Sequence, residues 1–240
     1  VQRTSLCQHC GASRWAYNWG IEQIKKSFDS GEKFPSAIDL HKRLNSIKGT
    51  DELPWGYEVS KCAFQESLRN LESSVRNWNS SRKGLWKNGE MGFPRRKTRK
   101  NGIGSCRFTG TIRVSNGHIQ LPRIGRIRLK EKGYIPPGKH SQATVTERAG
   151  RWFVSVVVEF PEVSLVLTNN IIGIDVGIKT LAVTSDGDTF ANPKALAAKT
   201  KQLRRWQRRL SRRVKGGKNR AKARKRISKI HMRISDIRRD

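Results

Sequence analysis

An apolar stretch in the second half of the chain carries a single acid. It reads IIGIDVGIKT over residues 171–180, with Asp175 between an isoleucine and a valine and with a glycine two residues away on each side. An unpartnered carboxylate buried in an apolar strand costs several kcal/mol. Asp175 therefore requires hydrogen-bond donors or a cation, and carboxylate oxygens are ligands that Mg²⁺ prefers.

Asp175 allows three interpretations. It is a structural carboxylate that caps the turn after its strand, or it belongs to a phosphate-binding hairpin like that of actin-like ATPases. The small hydroxyl residues that follow in such a hairpin are replaced here by Ile178 and Lys179. In the third interpretation it is a metal ligand of an RNase H-type nuclease, where three acids hold two Mg²⁺ ions that activate water and stabilise the leaving oxygen. Residues 176–240 contain no convincing second ligand for that chemistry.

Two of the four cysteines have the spacing of half a zinc site. Cys7 and Cys10 form a CxxC pair, whereas Cys62 and Cys106 stand alone in other segments. A structural zinc site needs four ligands, usually two such pairs. We therefore interpret all four as buried thiols in a reducing compartment, and not as a disulfide framework.

The chain is strongly basic, with 50 Lys and Arg against 19 Asp and Glu and a formal net charge of +31. So large an excess of one sign opposes compaction, which makes a polyanionic partner, and first of all nucleic acid, the expected one. No apolar run approaches the ~20 residues of a membrane span, and no signal-peptide pattern opens the chain. We predict no membrane association and a cytoplasmic, nucleoid-associated location in a prokaryote.

More than half of the net charge lies at the end of the chain. Residues 199–240 hold 19 Lys and Arg against two Asp, and apolar residues recur at helical spacing on both sides of Gly216-Gly217. This pattern predicts a helical hairpin with basic outer faces that bind phosphates. The residues expected to contact nucleic acid there are Arg204, Arg205, Arg208, Arg212, Lys218 and Arg220.

The periodicity of the whole chain predicts an α+β protein of several domains. Helical spacing covers residues 13–86, where Ser36 is the expected N-cap of the second helix and the third helix starts near Ser60. From residue 105 the period changes to two, and about five antiparallel strands, including a hairpin at Asn116-Gly117, suggest a small barrel. The predicted domains are a lead-in at 1–12, helices at 13–86, a basic strap at 87–104, the barrel at 105–165 with a linker at 161–170, and a last domain at 166–240.

Several of these segments together resemble the TnpB family of transposon-encoded proteins, relatives of the type V CRISPR effector nucleases. GIDVGIKTLAVTSDG is similar to the first RuvC motif of the family, and LSRRVKGGKNRAKARKRISKIHMRISDIRRD to the helical hairpin that follows it. RWAYNWGIEQIKKSFDSG and LPWGYEVSKCAFQESLRNLESSVRNW resemble its characteristic helices, and GFPRRKTRK resembles its strap. The resemblance implies a helical recognition bundle inserted in a small wedge barrel, followed by the start of an RNase H-like RuvC domain.

The resemblance also implies an RNA-guided DNA endonuclease. A guide RNA would pair with one strand of the target double-stranded DNA, while the protein would read only a short motif beside the target. Asp175 matches the first catalytic acid, a ligand of Mg²⁺, and Lys61, Gln65 and Thr109 match positions that face the motif duplex. The role of Cys62 stays open. The strap residues expected to bind nucleic acid are Arg95, Arg96 and Lys97.

The sequence departs from the family pattern at its two ends. In the family, the first strand of the barrel precedes the position of Val1. A catalytic Glu, a four-cysteine zinc ribbon and a final catalytic Asp follow the basic hairpin, so Zn²⁺ is expected only in that later part. We therefore expect the N-terminal portion of such a nuclease, monomeric and inactive alone. The alternative is a truncated, nuclease-dead protein that uses guide RNA only to bind DNA, for example as a repressor.

Overall fold

The computed structural model describes residues 1–85, 89–99, 102–159, 171–192 and 194–239. The described chain is α+β, as predicted, and none of its helices has both the length and the apolar character needed to cross a membrane. Parts of the predicted strap and the predicted linker at 161–170 lie outside the described residues. The helices are α1 (Gln2–Asp29), α2 (Ala37–Ile47), a 3-10 helix (Pro54–Tyr57), α3 (Lys61–Arg82), α4 (Ala195–Ser211) and α5 (Lys218–Ile237).

The strands form small sheets of three strands each. In one sheet β5 lies between β1 and β6, while β2, β3 and β4 make a second sheet and β7, β8 and β9 a third. The strands are β1 (Ser105–Thr109), β2 (Arg113–Ser115), β3 (His118–Leu121), β4 (Gly125–Arg128), β5 (Lys139–Arg148), β6 (Arg151–Glu159), β7 (Ile174–Val176), β8 (Thr180–Thr184) and β9 (Thr189–Ala191).

The sheets correct the prediction of one small barrel, because no closed barrel forms among the described residues. The alternating run at 105–115, which the sequence presented as continuous, divides at Gly110. Its φ of 92° lies in the left-handed region that glycine adopts without a steric penalty. The chain therefore leaves the first sheet there and enters the second. The hairpin at Asn116-Gly117 is confirmed, since both residues have positive φ and join β2 to β3.

Helix starts follow capping signals where the sequence has them. Ser36 caps α2 through a reciprocal pair: its Oγ accepts the Asp39 N–H at 3.2 Å, and the Asp39 carboxylate accepts the Ser36 N–H at 3.1 Å. The bonds from the Ser36 hydroxyl and N–H lower the pKa of Asp39. Ser60 caps α3 by accepting the Cys62 N–H at 3.4 Å. α1 begins at Gln2 without a side-chain cap, well before the helical region predicted at 13–86.

The described residues form two compact units, and the first contains those up to Glu147 together with β6. Its core joins α1, α2, α3 and the inner face of β1. Ile21 of α1, Phe64 of α3 and Phe108 of β1 are each at most 1% exposed. Burying one such side chain stabilises the fold by roughly 1.5–3 kcal/mol, so this core fixes where α3 and β1 meet.

The second unit contains the turn at 148–150 and the described residues from 171 onward. β7 and β8 pair antiparallel, as predicted from the turn between them. The predicted helical hairpin is confirmed. Lys199 near the start of α4 and Arg233 near the end of α5 line the same cleft, so the two helices run antiparallel, and Ile230 and Ile234 are buried.

Candidate nucleic-acid interface

A cavity of about 670 Å³ opens beside the first residue of α3. It brings together Lys61 and Thr109, two residues far apart in the sequence that were both predicted to face DNA. Gln65, one turn further along α3, is half-buried and does not line this cavity. The other polar side chains of its walls are Ser60, Cys62, Thr111, Gln120 and Arg123.

A buried histidine holds the start of α3 against α1. Nδ1 of His9 lies 2.7 Å from the Ser5 carbonyl oxygen, which can only accept, so Nδ1 carries the proton. Nε2 then accepts the Ser60 N–H at 3.0 Å. Burial lowers the pKa of His9, which keeps this ring neutral and able to accept. The N-cap of α3 is therefore anchored from within the core.

Sulfur contacts hold the same turn against β1. The Cys62 thiol donates to the Thr109 carbonyl at 3.3 Å, and the Thr109 hydroxyl lies 3.6 Å from the Cys62 sulfur. The structure thus gives Cys62, whose role the sequence left open, a structural contact. Hydrogen bonds therefore hold both Cys62 of α3 and Thr109 of β1, the two residues that flank the cavity beside Lys61.

Further cations lie near Lys61. The Lys48 ammonium is 5.0 Å from the centroid of the Phe64 ring. Burial lowers the pKa of Lys48, and the charge of Lys61 lowers it further. The pKa of His41 is lowered by burial and then by Lys48 and Lys61. This part of the surface is therefore electropositive, as a phosphate-binding face requires.

The strap is docked on α1 instead of lying free in solvent. The Asn18 side-chain amide brackets the backbone of Lys97, donating to its carbonyl at 3.0 Å and accepting from its N–H at 2.8 Å. The Lys97 ammonium lies 3.8 Å from the centroid of the Tyr17 ring, and burial lowers the pKa of Lys97. The RWAYN segment of α1 is thus a docking site for the strap.

The other two strap cations differ in their partners. Arg96 pairs with Glu22 of α1 at 2.9 Å. Arg95 is exposed, and its side chain has no hydrogen bond or ion pair to any residue that the structure describes. Of the three strap residues predicted to bind nucleic acid, Arg95 is therefore the one whose charge is uncommitted.

The basic hairpin also separates its predicted residues into two groups. Nη1 of Arg220 donates to the carbonyls of Leu210 at 2.9 Å and Arg213 at 2.8 Å, so this side chain satisfies the end of α4. Arg220 therefore has a structural role in closing the hairpin. The predicted residues of this hairpin that remain exposed are Arg204, Arg205, Arg208, Arg212 and Lys218.

Asp175 lies in the centre of β7, opposite Val183 of β8, and is exposed. Ile174 and Val176, whose side chains alternate with it, are 66% and 76% exposed, so both faces of β7 are open among the described residues. The apolar sequence around Asp175 suggested that its carboxylate is buried, whereas it is exposed among the described residues. Its carboxylate oxygens suit Mg²⁺, but the described residues bring no three His, Cys, Asp or Glu side chains together. Asp175 thus offers one ligand.

The CxxC pair lies on α1 and behaves as ordinary thiols. Cys10 is 1% exposed, and burial raises its pKa to about 12. Among the described residues, no group of three His, Cys, Asp or Glu side chains forms around this pair. Cys7 is only half-buried, and all four cysteines, each within the described ranges, are free.

Comparison with known proteins finds similarity to a transposase family model and to proteins named as RNA-guided DNA endonucleases. Residues 155–240 match the family model OrfB_IS605, described as a probable transposase. The whole chain is 31% identical, over 244 residues, to a protein of Streptomyces pristinaespiralis named "Putative RNA-guided DNA endonuclease". The resemblance to the TnpB family is confirmed.

Two further relatives are also named as RNA-guided DNA endonucleases. InsQ of Escherichia coli (strain K12), also named as a putative RNA-guided DNA endonuclease, is 28% identical over 243 residues, which cover the full chain. A protein of the same description from Mycobacterium tuberculosis is 31% identical over 269 residues, covering 99% of the chain. The chain spans 58% of the length of each of these three relatives.

Sequence reasoning on the TnpB-like segments missed the second cation of the cavity. Arg123 lies at its wall but belongs to the turn between β3 and β4, where neither spacing nor the family motifs indicated a site. Its neighbour Pro122 is a residue typical of turns. The turn is directed towards α3 because of how the sheet packs, and the local sequence does not predict that direction.

Proposed function

We propose that this chain is part of an RNA-guided DNA endonuclease of a transposable element. It binds a guide RNA and double-stranded target DNA, and it reads a short motif beside the target through the cavity at the start of α3. The observation that carries the proposal is that Lys61 and Thr109, expected to face the same duplex, line one cavity. The names of the relatives support the RNA-guided activity.

The charge distribution supports different nucleic-acid-binding roles for the two units. The first unit offers an electropositive cavity suited to a short duplex segment. Hydrogen bonds of His9 and Cys62 hold the edges of this cavity in place. The second unit offers a helical hairpin with many exposed guanidinium groups, suited to nucleic-acid backbone, which is recognised by charge and shape. We propose that the guide RNA and its heteroduplex bind there.

For catalysis, we propose that Asp175 is one of the carboxylates that bind Mg²⁺. When bound, the metal supplies activation of water and stabilisation of the leaving oxygen. This chain contributes the Asp175 carboxylate, which lies on the short strand β7 and is positioned by the pairing of β7 with β8. Its exposure leaves the oxygens accessible to a metal and to a phosphodiester.

The test begins with RNA that co-purifies with the chain. We expect a discrete RNA species, which is sequenced and used to design a matched, fluorescently labelled DNA duplex with a randomised flanking motif. The Asp175→Ala variant should bind the RNA and this duplex as wild type does, because the Asp175 side chain is exposed in the described structure. If wild type cleaves the duplex in Mg²⁺, the variant should not.

The outcomes separate the two candidate functions. Guide-dependent binding without cleavage by either protein would support the RNA-guided binding protein over the nuclease. Absence of a discrete RNA, together with equal binding of matched and unmatched duplexes, would contradict both. Cleavage that survives in Asp175→Ala would remove Asp175 from the reaction while leaving the RNA-guided function intact.

A further inference from the structure

Arg123 occupies an uncommon backbone conformation at the wall of the cavity beside α3. Its φ is 67°, in the left-handed region, and it follows Pro122 in a turn closed by the Ile124 N–H donating to the Leu121 carbonyl at 3.3 Å. A proline followed by a residue with positive φ is the arrangement of a type II turn, in which glycine or asparagine is favoured at that second position. Arginine there is strained, since Cβ crowds its own backbone.

The position does not use its side chain for folding. Arg123 is exposed, and within the described ranges it makes no hydrogen bond and no ion pair. The Cβ that creates the strain therefore carries a guanidinium with no hydrogen-bond or ion-pair partner among the described residues. Strain retained at a non-glycine residue is typical of functional positions.

The surroundings of Arg123 specify the chemistry of a ligand. The cavity has two cations, Lys61 and Arg123, and no carboxylate among its lining residues. Hydroxyl groups of Ser60, Thr109 and Thr111 line it as well. Behind the wall lies His9, whose pKa is lowered by burial and also by the charge of Arg123, so the guanidinium stands near the start of α3. A lining of two cations and several hydroxyl donors, with no carboxylate, is suited to binding a phosphate group.

We infer that Arg123 contacts a phosphate of the target DNA, across the cavity from Lys61. The inference rests on the proposed function and adds a contact to it. Lys61 lies on the helix and Arg123 on the β3–β4 turn, so a duplex that enters the cavity is held from two elements. Duplex DNA is favoured over RNA as the occupant because Lys61 and Thr109, the residues expected to face DNA, share this cavity.

The experiment uses two variants that relieve the backbone strain while removing the charge, Arg123→Gly and Arg123→Asn. Thermal unfolding should show a rise in Tm of roughly 2–4 °C, since the left-handed conformation no longer has a steric penalty. Binding to a short fluorescein-labelled DNA duplex, measured by anisotropy, should weaken roughly eightfold at 0.1 M salt. The slope of log affinity against log salt should fall by about 0.9, the loss of one phosphate contact.

Arg128→Gln is the matched control. Arg128 is an exposed arginine of the neighbouring β4 that does not line the cavity, so affinity, slope and Tm should stay near wild type. The inference is overturned if Arg123→Gly gains stability but keeps the wild-type affinity and slope, or if it loses stability and affinity together. If wild type with its co-purified RNA does not bind the matched duplex, the proposed function fails and the inference fails with it.

Discussion

At the level of single residues, His9 makes the stability of the fold depend on pH. Its neutral ring accepts the Ser60 N–H, and burial places its pKa below the ordinary value. The unfolded chain therefore takes up a proton at a higher pH than the folded chain does. Stability should be fully present above about pH 6.5 and fall as the pH drops through the range between the two values.

The prediction is tested with His9→Ala in urea unfolding followed by tryptophan fluorescence. At pH 7.5 the variant should lose about 2–3 kcal/mol of unfolding free energy, because the Ser60 N–H is left buried without an acceptor and a cavity forms. Its further loss between pH 7.5 and 5.5 should be smaller than that of wild type. The exposed His231→Ala serves as control. An unchanged pH profile in His9→Ala would contradict the role assigned to this ring.

Residue-level signals were predictable where they act locally. The cap at Ser36, the start of α3 near Ser60 and the turn at Asn116-Gly117 each depend on neighbours within three positions, and all are found as predicted. The exposure of Asp175 and the contacts of Cys62 depend on elements distant in sequence. Spacing carries no information on such contacts, so they were visible only in the structure.

At the level of elements, the docked strap has a defined latch. Asn18→Ala removes both hydrogen bonds to the Lys97 backbone, each worth roughly 0.5–1.5 kcal/mol. Because the strap is an extended segment on the surface, we expect local opening and not global unfolding. Trypsin should then cleave after Arg95, Arg96 or Lys97 several-fold faster than in wild type. Asn70→Ala, at an exposed position of α3, should leave the cleavage rate unchanged.

The basic hairpin offers a pair of arginines with opposite expected roles. Arg220→Gln should lower the thermal stability of the hairpin, since the Arg213 carbonyl loses the guanidinium donor and the Leu210 carbonyl keeps only the Arg213 N–H. Arg212→Gln should leave stability unchanged and reduce the salt dependence of nucleic-acid binding by about one phosphate contact. Circular dichroism melting and anisotropy titration measure the two effects. The assignment is wrong if the two variants behave alike in both measurements.

Elements of regular period were predictable, but their arrangement was not. The faces of α2 and α3 and the pairing of α4 with α5 follow from apolar spacing within each segment. The barrel was wrong because strand partners are chosen over long separations: β1 pairs with β5, while the intervening β2, β3 and β4 make their own sheet. An alternating apolar pattern predicts a strand, but it does not specify which other strand pairs with it.

At the level of the whole molecule, the charge of +31 should dominate association with nucleic acid. If about eight phosphates are neutralised, affinity should fall by roughly three to four decades between 50 and 200 mM salt. A plot of log affinity against log salt tests this. A shallow slope would mean that the exposed cations of α4 and α5 do not face the backbone, contrary to the role proposed for them.

The composition predicted a polyanion as partner, yet it could not locate the site. The cavity at the start of α3 exists because a core of α1, α3 and β1 sets the N-cap of one helix beside the end of one strand. Lys61 and Thr109 could be selected one at a time by family motifs. That Arg123 joins them follows only from the packing of the second sheet.

The different surroundings of the thiols make the chain suitable for site-selective labelling. Cys10 and Cys106 are protonated far above neutral pH, with pKa values of about 12, and Cys62 is buried against Thr109. Cys7 alone is partly accessible on α1. A maleimide dye should therefore attach at one position without any engineered cysteine, giving an optical reporter on the helix that carries both the strap latch and the histidine anchor.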